Sequence, residues 1–138
     1  MTRIAACSCG QLSVTLSGEP HEVTVCHCLQ CQKSTGSAFG AYAFWPRSAC
    51  RSIQGEAKHW RRVSDSGHWV ESSFCPICGS TVHWSTELAV DQIGISVGTF
   101  ADPSFPAPTF AVWDSSRHPW VAMPAAWPRH ARDAAMVD

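Results

Sequence analysis

The chain has 138 residues, 45% of them hydrophobic and only 15% charged, with ten Lys+Arg against eleven Asp+Glu for a net charge of -1. That is one conventional domain with enough apolar material for a core, and it lacks the basic excess that a phosphate-tracking nucleic-acid surface needs. No apolar run approaches the ~20 residues of a membrane helix, and Cys7 comes too early for a signal peptide with an apolar middle; a cytoplasmic protein is expected.

In chain order the sequence predicts mostly strands. Gln11–Leu16 places Leu12, Val14 and Leu16 on one face, and Val23 and Val25 alternate just before a cysteine group. Ala38–Trp45, His59–Ser64, His68–Phe74 and Thr81–Ser85 are short runs rich in aromatic or β-branched residues. Ile93, Ile95 and Val97 alternate before Gly98, and Thr109–Trp113 gives a last run. Gly18, Pro20, Pro46, Gly55, Gly67, Gly79 and Pro103, Pro106 and Pro108 punctuate these runs as turns. No stretch sustains an apolar helical stripe beyond two turns. The expectation is a single all-β domain over residues 1–128, built of short antiparallel strands. Residues 129–138 form a tail that makes one helical turn or frays.

The eight cysteines carry the chemistry. They fall as Cys7/Cys9, Cys26/Cys28/Cys31 and Cys75/Cys78, with Cys50 alone. Disulfides that staple a secreted domain usually join separated segments, whereas C-x-C and C-x-x-C pairs converge on one metal. Cys7-Ser8-Cys9-Gly10 and Cys75-Pro76-Ile77-Cys78-Gly79 both end in glycine, which suits the sharp bend of a metal knuckle. Together they supply four thiolates, a closed tetrahedral set for a structural zinc that would contribute folding energy directly. Cys26, Cys28 and Cys31 supply three corners of a second tetrahedron, so a zinc there keeps an open position. Three thiolates cancel its charge, making it a poor Lewis acid and a better holder of an incoming thiolate that stays nucleophilic. The alternative is that His27 or a distant histidine closes this site. Alternation along an extended segment points His27 away from Cys26 and Cys28. The remaining histidines show no paired ligand spacing. Cys50 reads as a small buried hydrophobe, or as a reactive thiol if Arg51 lowers its pKa.

The order C-x-C-G, C-H-C-x-x-C, F-C-x-x-C-G-S resembles the glutathione-dependent formaldehyde-activating (GFA) family, also called the CENP-V/GFA domain. Its carriers here are Cys7–Gly10, Cys26–Cys31 and Phe74–Ser80. Gln32-Lys33-Ser34-Thr35-Gly36 is similar to the polar stretch after the family's triplet. Gly98-Thr99-Phe100-Ala101-Asp102-Pro103 resembles its G-x-L-D-D-P segment, and Ser116-Arg117-His118-Pro119-Trp120 its basic-x-Pro-Trp element. Ala101 replaces the first aspartate, and Ser72 and Ser73 stand where a basic residue often precedes Phe-Cys.

The resemblance implies a β-tent, Mss4-like fold with Cys7, Cys9, Cys75 and Cys78 as structural zinc ligands. It makes Cys26, Cys28 and Cys31 the labile, candidate catalytic zinc site. It further implies a carbon–sulfur lyase that adds a small thiol such as glutathione to a small aldehyde such as formaldehyde. The other classes are a non-catalytic zinc-binding interaction module and a thiol-redox enzyme using Cys50. Lys33 is a candidate for neutralising a substrate carboxylate or is simply solvated. Trp45, Trp60 and Trp69 are candidate pocket walls or core. Exposed tryptophans near Pro119–Pro128 would suit a homodimer face.

Overall fold

The computed structural model of the chain describes residues 1–132, which are mostly strand, with a single α-helix and several short 3-10 turns. The chain divides into two compact units. The first comprises Met1–His21 and Ala43–Phe105; the second comprises Glu22–Tyr42 and the chain from Pro106 onward.

In the first unit, β1 (Thr2–Ala6) pairs antiparallel with β2 (Ser13–Ser17). Leu12, Val14 and Leu16 are fully buried, on the face that their alternation predicts. The expected runs from Ala38 to Ser85 become β4 (Gly40–Pro46), β6 (Lys58–Val63), β7 (Trp69–Phe74) and β8 (Thr81–Thr86), and Ile93 and Ile95 lie in β9 (Gln92–Ser96). The sheet order here is β4-β9-β8-β7-β6, with β6, β7 and β8 linked antiparallel through two hairpins. Trp45, Val82, Ile93 and Ile95 join the β2 side chains in having no exposed surface. β4 begins in the second unit and ends in the first.

Two strands of this unit escape the sequence pattern. β1 buries Ala5 while Ile4 is exposed, and Arg3 is tied by ion pairs to Glu19 at 2.9 Å and Asp102 at 3.4 Å. β5 (Cys50–Gln54), sequence CRSIQ, has no apolar alternation at all. Backbone pairing to β2, interrupted by a bulge at Thr15/Leu16, holds it as an edge strand.

In the second unit, β3 (Glu22–Cys26) pairs in parallel with β10 (Phe110–Val112), and Val23 through Cys26 are all buried. Burial on both faces is usual for a parallel strand, and here it takes in the polar Thr24, whose hydroxyl donates to the Phe110 carbonyl at 3.2 Å. Parallel pairing is one departure from the expected antiparallel architecture. The other is α1 (Leu29–Thr35), which buries none of its residues and so has no apolar stripe to announce it. Arg129 bridges to Ala111, and His130 and Arg132 exchange backbone hydrogen bonds with the stretch from Ala111 to Asp114. The expected helical turn in the tail therefore does not occupy these first residues; its remainder, 133–138, lies outside the described residues.

Candidate metal centres

The first centre forms where two knuckles meet. The sulfurs of Cys7, Cys9, Cys75 and Cys78 all lie within 4.8 Å of one another, entirely inside the first unit. Cys7 and Cys9 follow β1, and Cys75 and Cys78 make the turn between β7 and β8. Gly10 (φ 85) and Gly79 (φ 80) adopt the left-handed backbone that each knuckle requires after its second cysteine. Their amides close the turns onto the carbonyls of Cys7 at 3.0 Å and Cys75 at 2.9 Å. N–H groups then turn onto the sulfurs. Leu12 N–H donates to Cys7 Sγ at 3.2 Å, and Cys75 Sγ receives the Ile77 amide at 3.3 Å and the Cys78 amide at 3.5 Å.

Gln11 locks this arrangement. Its Nε2 donates to Cys75 Sγ at 3.0 Å and to the Glu56 carbonyl at 2.7 Å, while its Oε1 accepts from the Glu56 amide at 2.9 Å. Burial pushes the Cys75 thiol up, but the amides of Cys78 and Ile77 with Gln11 hold it below its ordinary value. The Ser80 hydroxyl and amide draw Cys78 down to about 5. Cys9 gains a lowering hydrogen bond from Gln11, yet desolvation and the neighbouring thiols raise it to about 11.

The second centre gathers Cys26, Cys28 and Cys31, again with all sulfurs within 4.8 Å and wholly inside the second unit. Cys26 ends β3 and Cys28 is the N-cap of α1. Its Sγ accepts the Cys31 amide at 3.2 Å, so one sulfur both caps the helix and joins the cluster. Crowding makes ionisation costly here. Hydrogen bonding to Cys28 and Cys31, followed by burial, raises Cys26 strongly. Cys26 pulls Cys31 down, but Cys28 and burial outweigh it and push Cys31 up to about 12. Three buried sulfurs that resist ionisation together are the donor set that a thiophilic cation would satisfy.

Both groups fit such a cation. None of the eight cysteines forms a disulfide. The sulfurs of Cys7 and Cys9 are 3.6 Å apart and those of Cys9 and Cys75 are 3.7 Å apart. A tetrahedral thiolate site with metal–sulfur bonds of about 2.3 Å has edges of about 3.8 Å. No histidine or carboxylate among the described residues joins either group. His27 is fully buried, packs edge-on against Phe39 with centroids 5.8 Å apart, and finds no hydrogen-bond partner for either ring nitrogen. It stays out of the cluster, as the alternation argument predicts.

Three residues that spacing did not single out surround the second centre. Gln32 Nε2 donates to the carbonyls of His27 at 2.9 Å and Ser116 at 3.1 Å. Its Oε1 therefore accepts from His118 Nε2, 2.8 Å away, which fixes the proton on that nitrogen. The Arg117–His118 stretch is itself pinned, because Arg117 binds Asp114 at 2.9 Å and the Val121 carbonyl at 2.7 Å. Tyr42, the chain's single tyrosine, is buried and hydrogen-bonds Cys31. Burial, then the nearby Cys31 charge, raises its pKa, so the phenol keeps its proton.

The other candidates fall elsewhere. Cys50 is raised by burial; the cation that partly opposes this is Arg47, not Arg51. Lys33 is exposed in the last turn of α1, where a cation complements the helix dipole. Trp45 is core, Trp60 is exposed on β6, and Trp69 lies beneath the Arg61 guanidinium at 4.0 Å. Trp120 is exposed and touches the His118 ring.

Residues 2–116 match the family model described as glutathione-dependent formaldehyde-activating enzyme, GFA. The chain belongs to the GFA family. Among solved structures, a crystal structure of a Rhodobacter sphaeroides protein is similar. It is 17% identical, covering 70% of this chain and 85% of that one with a TM-score of 0.56. That likeness carries the fold. No curated protein matches the sequence. The GFA match ends within the turn that pins Arg117 and takes in all seven clustered cysteines. No described helix is long and apolar enough to cross a membrane.

Proposed function

We propose that this GFA-family protein is a zinc-dependent carbon–sulfur lyase, acting reversibly on a small thiol and a small aldehyde, with glutathione and formaldehyde as the leading pair. The observation that carries the reading is the contrast between a four-cysteine set and a three-cysteine set with no fourth protein ligand among the described residues. When bound at Cys26, Cys28 and Cys31, zinc would keep an incoming thiol ionised near neutral pH and leave it nucleophilic.

The protein's own residues supply the rest. A zinc held by the three cysteines would keep one tetrahedral position for a fourth donor. Gln32 and His118 fix the knuckle that carries Cys28 and Cys31, so the reactants meet in a held geometry. In the forward direction a sulfur–carbon bond forms at the aldehyde carbon, the carbonyl π pair moves to oxygen, and oxygen takes a proton; the reverse breaks the same bond. A cytoplasmic setting suits this chemistry, because the thiolates must stay reduced.

Native mass spectrometry of the full chain tests the reading, before and after mild chelation and with added glutathione. Two zinc ions are expected, one resistant and one labile that gains a glutathione adduct. One inert ion and no thiol adduct would refute it and favour a zinc-binding interaction module. Cys28→Ser should lose the labile ion and all turnover while staying folded. Cys75→Ser should unfold, because the first set joins β1 to the β7–β8 hairpin.

A further inference from the structure

The two centres differ in how their sulfurs are covered. At the second, all three are buried. At the first, the sulfurs of Cys7 and Cys75 are buried while those of Cys9 and Cys78 are exposed, one from each knuckle. The buried pair is held by N–H groups: Cys75 Sγ takes the Gln11 side-chain amide and the Ile77 and Cys78 backbone amides, and Cys7 Sγ takes the Leu12 amide. Cys78 Sγ instead meets the Ser80 hydroxyl at 3.4 Å, in a turn whose residues 76–79 are all exposed. All of this lies in the first unit.

We propose that Cys9 and Cys78 are a site of covalent modification by peroxides, reacting before any sulfur of the second centre. With zinc bound, the sulfurs of both centres are thiolates, the form that peroxides oxidise, so exposure decides which is reached. One exposed sulfur attacks the peroxide O–O bond and becomes a sulfenic acid as hydroxide leaves. The other exposed thiolate attacks that sulfur, forming a disulfide and expelling a second hydroxide. Two thiolates are oxidised and one peroxide is reduced. The two sulfurs start no more than 4.8 Å apart and close to the roughly 2 Å of a disulfide. Cys7 and Cys75 alone are too few to retain the ion. Cys9 follows β1 and Cys78 lies in the turn between β7 and β8, so the disulfide keeps these elements tied once the ion is gone. A thiol reductant and zinc restore the centre.

This assignment does not depend on the lyase reading, and its test uses neither aldehyde nor glutathione. The zinc-loaded full chain, its ions counted by native mass spectrometry, is titrated with hydrogen peroxide. The chain is then denatured, its remaining thiols are alkylated, and each cysteine is assigned by peptide mass. One equivalent of peroxide should release one zinc ion per chain and leave a Cys9–Cys78 disulfide, with Cys26, Cys28 and Cys31 recovered as free thiols. Adding a thiol reductant and zinc should return the ion and all four thiols of the first centre. Oxidation of a second-centre cysteine before Cys9 and Cys78, a disulfide that takes in Cys7 or Cys75 instead, or no loss of zinc under excess peroxide would each overturn the proposal. The glutathione-adduct measurement stands or falls separately, so the two failures are distinguishable.

Discussion

Replacing Gln32 by alanine removes three hydrogen bonds at once: two donated to the carbonyls of His27 and Ser116, and one accepted from His118. Each is worth ~1 kcal/mol net, and the residue is only half-buried, so water replaces part of what is lost; about 3 kcal/mol is a ceiling. The loss concentrates where α1 meets the 116–118 segment, because all three partners lie there. It should therefore appear as easier opening of the second knuckle, up to roughly a hundredfold faster release of the second ion. The assay is chelator-driven release followed by native mass spectrometry, with urea unfolding in parallel to gauge global stability. Gln32→Glu sharpens the test. It keeps an acceptor for His118 but sets a carboxylate against two carbonyl oxygens, so it should release the ion at least as fast as the alanine variant. Release within twofold of wild type in Gln32→Ala would refute the idea that this side chain holds the centre.

Gln11→Ala should act on the first centre and cost global stability of about 2 kcal/mol in urea unfolding, since it removes one of the donors to Cys75 Sγ and the side-chain partner of both Glu56 backbone groups. His83 is held down to about 4 by burial, then by the nearby His59 and Arg47 charges. The unfolded chain binds a proton near pH 6.5 that the folded chain refuses, so this stabilisation is complete above pH 6.5 and disappears as pH falls toward 4. His83→Gln should flatten the stability–pH slope in that window by at most ~1.4 kcal/mol per pH unit, measured by urea titration with wild type run alongside. Ala101 sits in left-handed backbone at φ 50, so Ala101→Asn should raise stability by about 0.5–1 kcal/mol, read from the urea midpoint.

The Ala101 position shows what a motif alone conceals. The resemblance marked Ala101 as a departure from an aspartate, and the structure supplies a physical reason for that aspartate. The residue after the short 3-10 turn Val97–Phe100 must adopt left-handed backbone, which Asp and Asn tolerate better than Ala. Asp102, the retained member, caps Ser104 through its amide and hydroxyl, both at 2.9 Å, and reaches Arg3 on β1. The segment is thus a structural corner. Likewise the Arg117–His118 element works by delivering His118 to Gln32, a partner 86 residues away that no local pattern announces.

What could be read from the sequence was whatever is encoded within a few residues. The cysteine knuckles, their glycines and the β2 and β9 alternations are local, and the structure has them where the spacing puts them. What was missed is held by distant backbone or by a cap. β5 exists because β2 offers an open edge, β10 because β3 accepts a parallel neighbour, and α1 because a cysteine sulfur caps it. The difference between the two centres follows from the same division. At the first, amides of both knuckles and Gln11 converge on Cys7 and Cys75, so the protein offers four sulfurs and braces them from its own backbone. At the second, three cysteines lie on a strand end and a short helix with no buried residue, steadied by side chains. A zinc held that way could exchange its fourth donor without disturbing a strand, the freedom that the proposed reversible thiol reaction needs.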